Sequence, residues 1–215
     1  MWYSCADRIV GMSHPVGTRT IFVIGSSHSR RLGTEFRKIV PEQFFVKNMA
    51  IGGATYDRIQ YPQLSQISVN DVIVMQGFGN DLFKAAHEYK KGMYHLLACI
   101  PTPRSKLEKI FNEFLEWCKS VPCKVIILGL IPRFYHCCLT HKYAGLVSHQ
   151  VRSNELLARL SNKVPNVVFV HSMKALGVPH RLWKSTDNSM TADNVHLKPE
   201  KYEVIARYIF QIIQQ

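Results

Sequence analysis

The chain has 215 residues, 47% of them hydrophobic and 20% charged, with 12 glycines and 10 prolines, a make-up that fits one globular domain with a sizeable core and excludes disordered, collagen-like and repeat architectures. Its longest apolar stretches, such as Val125 to Ile131, are strand length and far short of the roughly 20 residues a membrane-spanning helix needs. With 27 basic and 15 acidic residues the net charge is +12, which leaves two readings open: a solvated basic surface, or a face that attracts nucleic acid or anionic lipid headgroups.

Met1 to Thr18 is polar and mixed and lacks the apolar segment of a secretory signal. Residues 1–19 are therefore read as a lead-in, residues 20–215 as the domain, and the expected location is the cytoplasm or nucleus. Thr20 to Ile24 is the first short apolar run and predicts a buried strand. It stops at Gly25, and Ser26-Ser27-His28-Ser29 opens a helix. Gln43 to Val46 is the second strand, followed by Gly52-Gly53; Asp71 to Met75 is the third, followed by Gly79-Asn80-Asp81. Leu107, Ile110, Phe111, Phe114, Leu115 and Cys118 recur at spacings of three and four, the stripe of an amphipathic helix lying on a sheet. Lys124 to Leu128 and Val167 to Val170 are the fourth and fifth strands, with a helix through Val151, Leu156, Leu157 and Leu160 between them. The last helix starts at Pro199 and buries Tyr202, Ile205, Ala206, Ile209 and Ile213. Alternating strands and helices imply a three-layer α/β/α sandwich on a mostly parallel five-stranded sheet.

Two local compositions carry further expectations. From Ile126 to Thr186 eight cations (Arg133, Lys142, Arg152, Arg159, Lys163, Lys174, Arg181, Lys184) face one acid, Glu155. The six cysteines are even in number, but a chain with a real core needs no staples, so reduced thiols are expected. His136-Cys137-Cys138-Leu139-Thr140-His141 invites a zinc reading, yet no Cys-x-x-Cys pair completes a ligand set. No metal and no cofactor is expected.

In α/β folds, sites gather at the carboxyl ends of strands, and each polar cluster above sits at such an end or just before the last helix. Asp193-Asn194-Val195-His196 places a carboxylate three residues before a histidine. A neutral imidazole with a pKa of about 6.5 can take a proton from a serine at neutral pH. Ser27 is the candidate nucleophile, His196 its base, and Asp193 the group that fixes the ring's tautomer. The backbone N–H groups of Ser27 and Gly53 and the side-chain amide of Asn80 are the candidate donors to an oxyanion.

These residues, in this order, resemble an SGNH hydrolase, the superfamily of GDSL esterases and lipases, and the likeness runs from about Thr20 to the last helix. The first block, Gly-Asp-Ser, corresponds to Gly25-Ser26-Ser27; the second-block glycine to Gly53; the third block, Gly-x-Asn-Asp, to Phe78-Gly79-Asn80-Asp81; the fifth, Asp-x-x-His, to Asp193 through His196. The resemblance implies a flavodoxin-like sandwich, a Ser27–His196–Asp193 triad, and an oxyanion hole of Ser27, Gly53 and Asn80. Two positions depart: Ser26 replaces an aspartate and Phe78 a glycine. Ile24 to Leu32, Ile131-Pro132-Arg133 and Asp193 to Leu197 are most similar to esterase domains in the first open-reading-frame proteins of LINE-type retrotransposons. The expected function is hydrolysis of carboxylic esters, acetyl or other short acyl groups first and lipid esters second, through an acyl-serine. The competing expectation is a catalytically weak module of the same fold that binds nucleic acid or anionic membranes. Phosphodiester hydrolysis is disfavoured, because the carboxylate cluster of two-metal chemistry is missing from the sequence.

Overall fold

The computed structural model describes residues 18–90, 93–131, 141–178 and 196–215, with side chains at 84–99 and 141–147 outside the description. In chain order the elements are β1 (Arg19–Gly25), α1 (Ser27–Ile39), β2 (Phe44–Asn48), β3 (Val72–Gln76), β4 (Phe83–Lys90), β5 (Met93–Pro101), α2 (Arg104–Ser120), β6 (Lys124–Leu128), α3 (His141–Ser161), β7 (Val167–Val170), α4 (Ser172–Ala175) and α5 (Pro199–Ile213). The main sheet has five strands in the order β2-β1-β3-β6-β7, and every pairing in it is parallel. All five expected strands are present, and the sheet is wholly rather than mostly parallel.

Side chains alternate across a strand, and this divides the core in two. Phe22, Ile24, Ile73, Met75, Val125 and Ile127 point to the side covered by α2 and α3. Ile21, Val23, Val72, Val74, Ile126 and Leu128 point to the side covered by α1 and α5. Because both faces are covered, the strands read as continuous apolar runs. Helix α2 buries Leu107, Phe111, Phe114 and Leu115 on one stripe. Each such burial is worth about 1.5–3 kcal/mol, more than helix propensity supplies, so packing holds α2 in place.

An antiparallel hairpin, β4 with β5, lies between β3 and α2 and was not expected. Its one apolar run, Leu96 to Ile100, is mostly Leu, Ala and Cys rather than the Val, Ile and Phe of the sheet strands, and Phe83 to His95 is mixed in polarity. Strand order reverses between β1 and β3. The chain leaves β1 for α1 on one face and leaves β3 for α2 on the other, opening a crevice at the carboxyl ends where ligands bind in such folds.

Candidate functional site

Ser27 is the first residue of α1, where the backbone N–H groups have no partner within the helix and the macrodipole favours negative charge. The turn before it requires glycine. Gly25 has φ +123°, and a Cβ there would collide with the Gln76 carbonyl oxygen. That carbonyl accepts the Ser26 N–H at 3.0 Å. Ser29 closes the elbow from below: its Oγ accepts the Gln76 N–H at 2.9 Å and lies 2.8 Å from the Gln76 carbonyl and 2.7 Å from that of Ile24. Ser26 and Ser29 are both 0% exposed, whereas Ser27 is partly exposed. Of the three serines in the turn, only Ser27 is accessible to a reagent.

His196 comes from the opposite end of the chain, immediately before α5. Its Nε2 lies 2.9 Å from Ser27 Oγ, so a neutral ring can accept the serine proton directly. The two side chains, 169 residues apart in the chain, meet in one hydrogen bond. Asp193 lies outside the described residues.

The other two candidates are linked through Ala54, the residue after Gly53. Gly53 has φ +73°, a left-handed conformation suited to glycine. Asn80 Nδ2 donates to the carbonyl of its neighbour Ala54 at 2.8 Å, and Asp81 accepts the Tyr56 N–H at 3.1 Å. The loop after β2 is thus tied to the turn after β3. The β2 loop also reaches the elbow, because the Ile51 N–H donates to the Gly25 carbonyl at 3.0 Å. An amide nitrogen carries two hydrogens, and the bond to Ala54 uses one of them.

The sequence profile of the GDSL-like lipase/acylhydrolase family matches residues 21–209. The chain belongs to this family. Among solved structures, a GDSL-like lipase from Bacteroides thetaiotaomicron is similar, with 20% identity over 94% of this chain and 92% of that one and a TM-score of 0.55. A lipase/acylhydrolase from Enterococcus faecalis has 16% identity over 92% and 96%, TM-score 0.57. The C-terminal catalytic domain of a peptidoglycan O-acetyltransferase from Streptococcus pneumoniae, solved with a methylsulfonyl adduct, has 12% identity over 93% and 94%, TM-score 0.53. At these identities the likeness is one of fold. No curated protein matches the chain.

Both departures from the GDSL-like pattern have a structural setting. Phe78, at the glycine position of the third block, has φ +65°. It keeps the left-handed conformation that glycine adopts freely and that costs other residues roughly 1–2 kcal/mol. Its ring is 1% exposed and packs edge-on to Phe111 and Phe114, at centroid distances of 5.0 and 5.4 Å. The aromatic burial outweighs the strain. Phe78→Gly should relax the backbone yet leave a hole, with a net loss of about 2–4 kcal/mol in urea unfolding. Ser26, at the aspartate position, faces the Gln76 side chain, with Oγ 3.4 Å from Oε1. Position 26 is the N-cap of α1, and Ser26 makes no side-chain cap there.

A cleft of about 780 Å³ opens beside Asn80, lined by Tyr56, Asp57, Asp81, Lys106 and Lys109 among others. Burial raises the Tyr56 phenol above its ordinary pKa of 10, so it lines the cleft uncharged. Of the cysteines, Cys118 and Cys123 are described and both are free and buried. Burial pushes Cys123 up to about 11 and Cys118 higher still, which keeps both as thiols and removes them as nucleophiles. The Cys137-Cys138 segment lies outside the described residues, and among those described no group of His, Cys, Asp and Glu is arranged to hold a metal. No described helix is long and apolar enough to cross a membrane.

Sequence reasoning missed Gln76, Ser29, His28 and Tyr202. Gln76 alone left a trace, as a polar residue ending an apolar strand. His28 Nδ1 lies 2.7 Å from Tyr202 Oη, with both residues buried.

Proposed function

We propose that this chain is a serine esterase acting on carboxylic esters through an acyl-enzyme. The observation that carries the proposal is the 2.9 Å contact between His196 Nε2 and the accessible Ser27 Oγ at the head of α1. In the first half-reaction Ser27 Oγ bonds to the substrate carbonyl carbon as its proton passes to His196 Nε2. The carbonyl oxygen becomes an oxyanion held by the N–H groups of Ser27 and Gly53 and by Asn80. Collapse of that intermediate breaks the ester bond, and the leaving alcohol takes the proton from His196. Water then attacks the acyl carbon as its proton passes to His196, and collapse breaks the bond to Ser27, releasing the acid as His196 returns that proton to Oγ. Asp193 is assigned to His196 Nδ1 from its Asp-x-x-His spacing, where it fixes the tautomer and favours the imidazolium.

We assign acetyl and other short acyl esters as the preferred class, with lipid esters second. Turnover of a p-nitrophenyl series from acetate to decanoate, beside Ser27→Ala, tests this: rates should peak at the short end. A protein with no ester turnover that binds nucleic acid would favour the alternative of a weakly catalytic binding module. The likeness of Ile24 to Leu32, Ile131 to Arg133 and Asp193 to Leu197 to LINE esterase domains supports, as context, a retrotransposon-encoded esterase domain spanning residues 20–215. It rests on those segments alone, and the solved structures compared above are bacterial.

A specific feature favours a polyanionic partner. A cavity of about 620 Å³ between α2 and α3 is lined by three arginines, Arg104, Arg152 and Arg159, and one acid, Glu155. Arg152 and Arg159 belong to the basic region seen in the sequence, and Arg104 joins them from the start of α2. Arg159 approaches Glu108 at 3.9 Å across an exposed gap, too loosely to neutralise the group. We propose nucleic acid as the partner. Changing Arg152, Arg159 and Lys163 together to glutamate should weaken oligonucleotide binding and flatten its salt dependence, since each lost phosphate contact removes about 0.7 from the log–log slope for single strands. Hydrolysis of a neutral ester should barely change. Binding to anionic vesicles but not to oligonucleotides would point to a membrane surface instead.

A further inference from the structure

His28 and Tyr202 are buried polar residues that the proposed mechanism does not use. His28 follows Ser27 on α1, and its Nδ1 lies 2.7 Å from the Tyr202 hydroxyl on the first turn of α5. The same hydroxyl accepts the N–H of Leu197 at 3.3 Å, and Leu197 follows His196. The His28 and His196 rings lie 5.2 Å apart, tilted by 48°.

These contacts form a closed circuit. Ser27 is bonded to His28 through the chain, His28 to Tyr202 and Tyr202 to Leu197 by hydrogen bonds, Leu197 to His196 through the chain, and His196 to Ser27 by the 2.9 Å contact. A hydroxyl has one proton and accepts through its lone pairs. With the Leu197 N–H donating to it, Tyr202 Oη can give its own proton to His28 Nδ1. That assignment leaves His28 neutral with its hydrogen on Nε2. Neutrality matters because a cation beside His196 would oppose the imidazolium that forms during attack.

We propose that His28 and Tyr202 are positioning residues that hold the nucleophile and the base in register, independently of Asp193. Neither touches substrate. Tyr202 fixes the backbone after His196 to α5, His28 fixes the start of α1 to the same phenol, and the packed rings limit rotation of His196. Burial suits this role, since a hydrogen bond shielded from water holds its geometry more firmly than an exposed one. The inference rests on the esterase reading, and its test separates the two.

The experiment measures kcat and KM for p-nitrophenyl acetate, together with the rate and final extent of Ser27 labelling by a fluorophosphonate, for wild type, Tyr202→Phe, His28→Leu, their double variant and His28→Asn. Tyr202→Phe keeps the ring and removes only the hydroxyl. Tyr202→Phe and His28→Leu should each lower kcat and the labelling rate about 10-fold to 100-fold, the scale of a small misplacement of reacting groups. KM should stay within about twofold and labelling should still reach one per chain. The double variant should lose little beyond either single, because the two act as one unit. His28→Asn, whose amide can still meet the phenol, should recover most of the rate. Unchanged kcat in Tyr202→Phe would overturn the inference, as would additive losses or a reduced labelled fraction reacting at the wild-type rate, the mark of partial unfolding. An inactive, unlabelled wild type would instead overturn the esterase reading itself.

Discussion

Ser27→Ala and His196→Ala are each expected to lower ester turnover by about 10⁴-fold to 10⁶-fold, the loss seen when a serine nucleophile or its base is removed. The reason is geometric. Ser27 is the accessible serine of the elbow, and its hydroxyl is a weak nucleophile unless a base takes the proton, which His196 Nε2 is placed to do at 2.9 Å. Without Oγ no acyl-enzyme forms. Without the imidazole, Oγ keeps its proton and the leaving alcohol has no acid to protonate it. The two residues act as one unit, so the double variant should be hardly worse than either single. Folding should be retained, because the Ser29, Gln76 and Ile24 bonds that shape the elbow do not involve the Ser27 side chain. Far-ultraviolet circular dichroism and melting curves check that point. Equal and small losses in both variants would mean that the turnover being measured is background hydrolysis.

Asn80→Ala should cost about 100-fold to 1000-fold, chiefly in kcat, the range for one oxyanion donor. The expected loss is smaller than for Ser27 because the two proposed backbone donors, the N–H groups of Ser27 and Gly53, would remain. The effect should lie toward the upper end of that range, since Asn80 Nδ2 also anchors the carbonyl of Ala54, the residue after Gly53, at 2.8 Å. Asn80→Asp separates these roles. A carboxylate cannot donate to Ala54 or to an oxyanion and adds a like charge where negative charge develops, so it should be worse than alanine. If Asn80→Asp instead matched wild type, the oxyanion role of this side chain would be wrong.

How much of this was legible follows from where the signals lie. The five sheet strands could be read because both faces of the sheet are buried, which makes each an uninterrupted apolar run such as Val72 to Met75. The hairpin of β4 and β5 could not, because its one apolar run, Leu96 to Ile100, is poor in the β-branched residues that mark a strand, and its partner, Phe83 to Lys90, is mixed in polarity. Ser27, Gly53, Asn80 and His196 stood out because each polar cluster interrupts or follows an apolar segment. Phe78 was visible as a departure, but its left-handed backbone and its place among Phe111 and Phe114 exist only in three dimensions. Ser29 and Gln76 lie 47 residues apart and His28 and Tyr202 lie 174 apart. Neither pair has a spacing that a linear reading can connect. Arg104 was missed for a similar reason, since it lies outside the basic run whose Arg152 and Arg159 it meets across the cavity.

The central claim is that Ser27 is a nucleophile activated by His196 without a metal. Incubation of the purified protein with a fluorophosphonate in the presence of a chelator, followed by intact mass and peptide mapping, tests it directly. The expected result is one adduct per chain, mapped to Ser27, with labelling abolished in Ser27→Ala and slowed by several orders of magnitude in His196→Ala. No adduct, an adduct on another residue, or labelling that the chelator suppresses would contradict it.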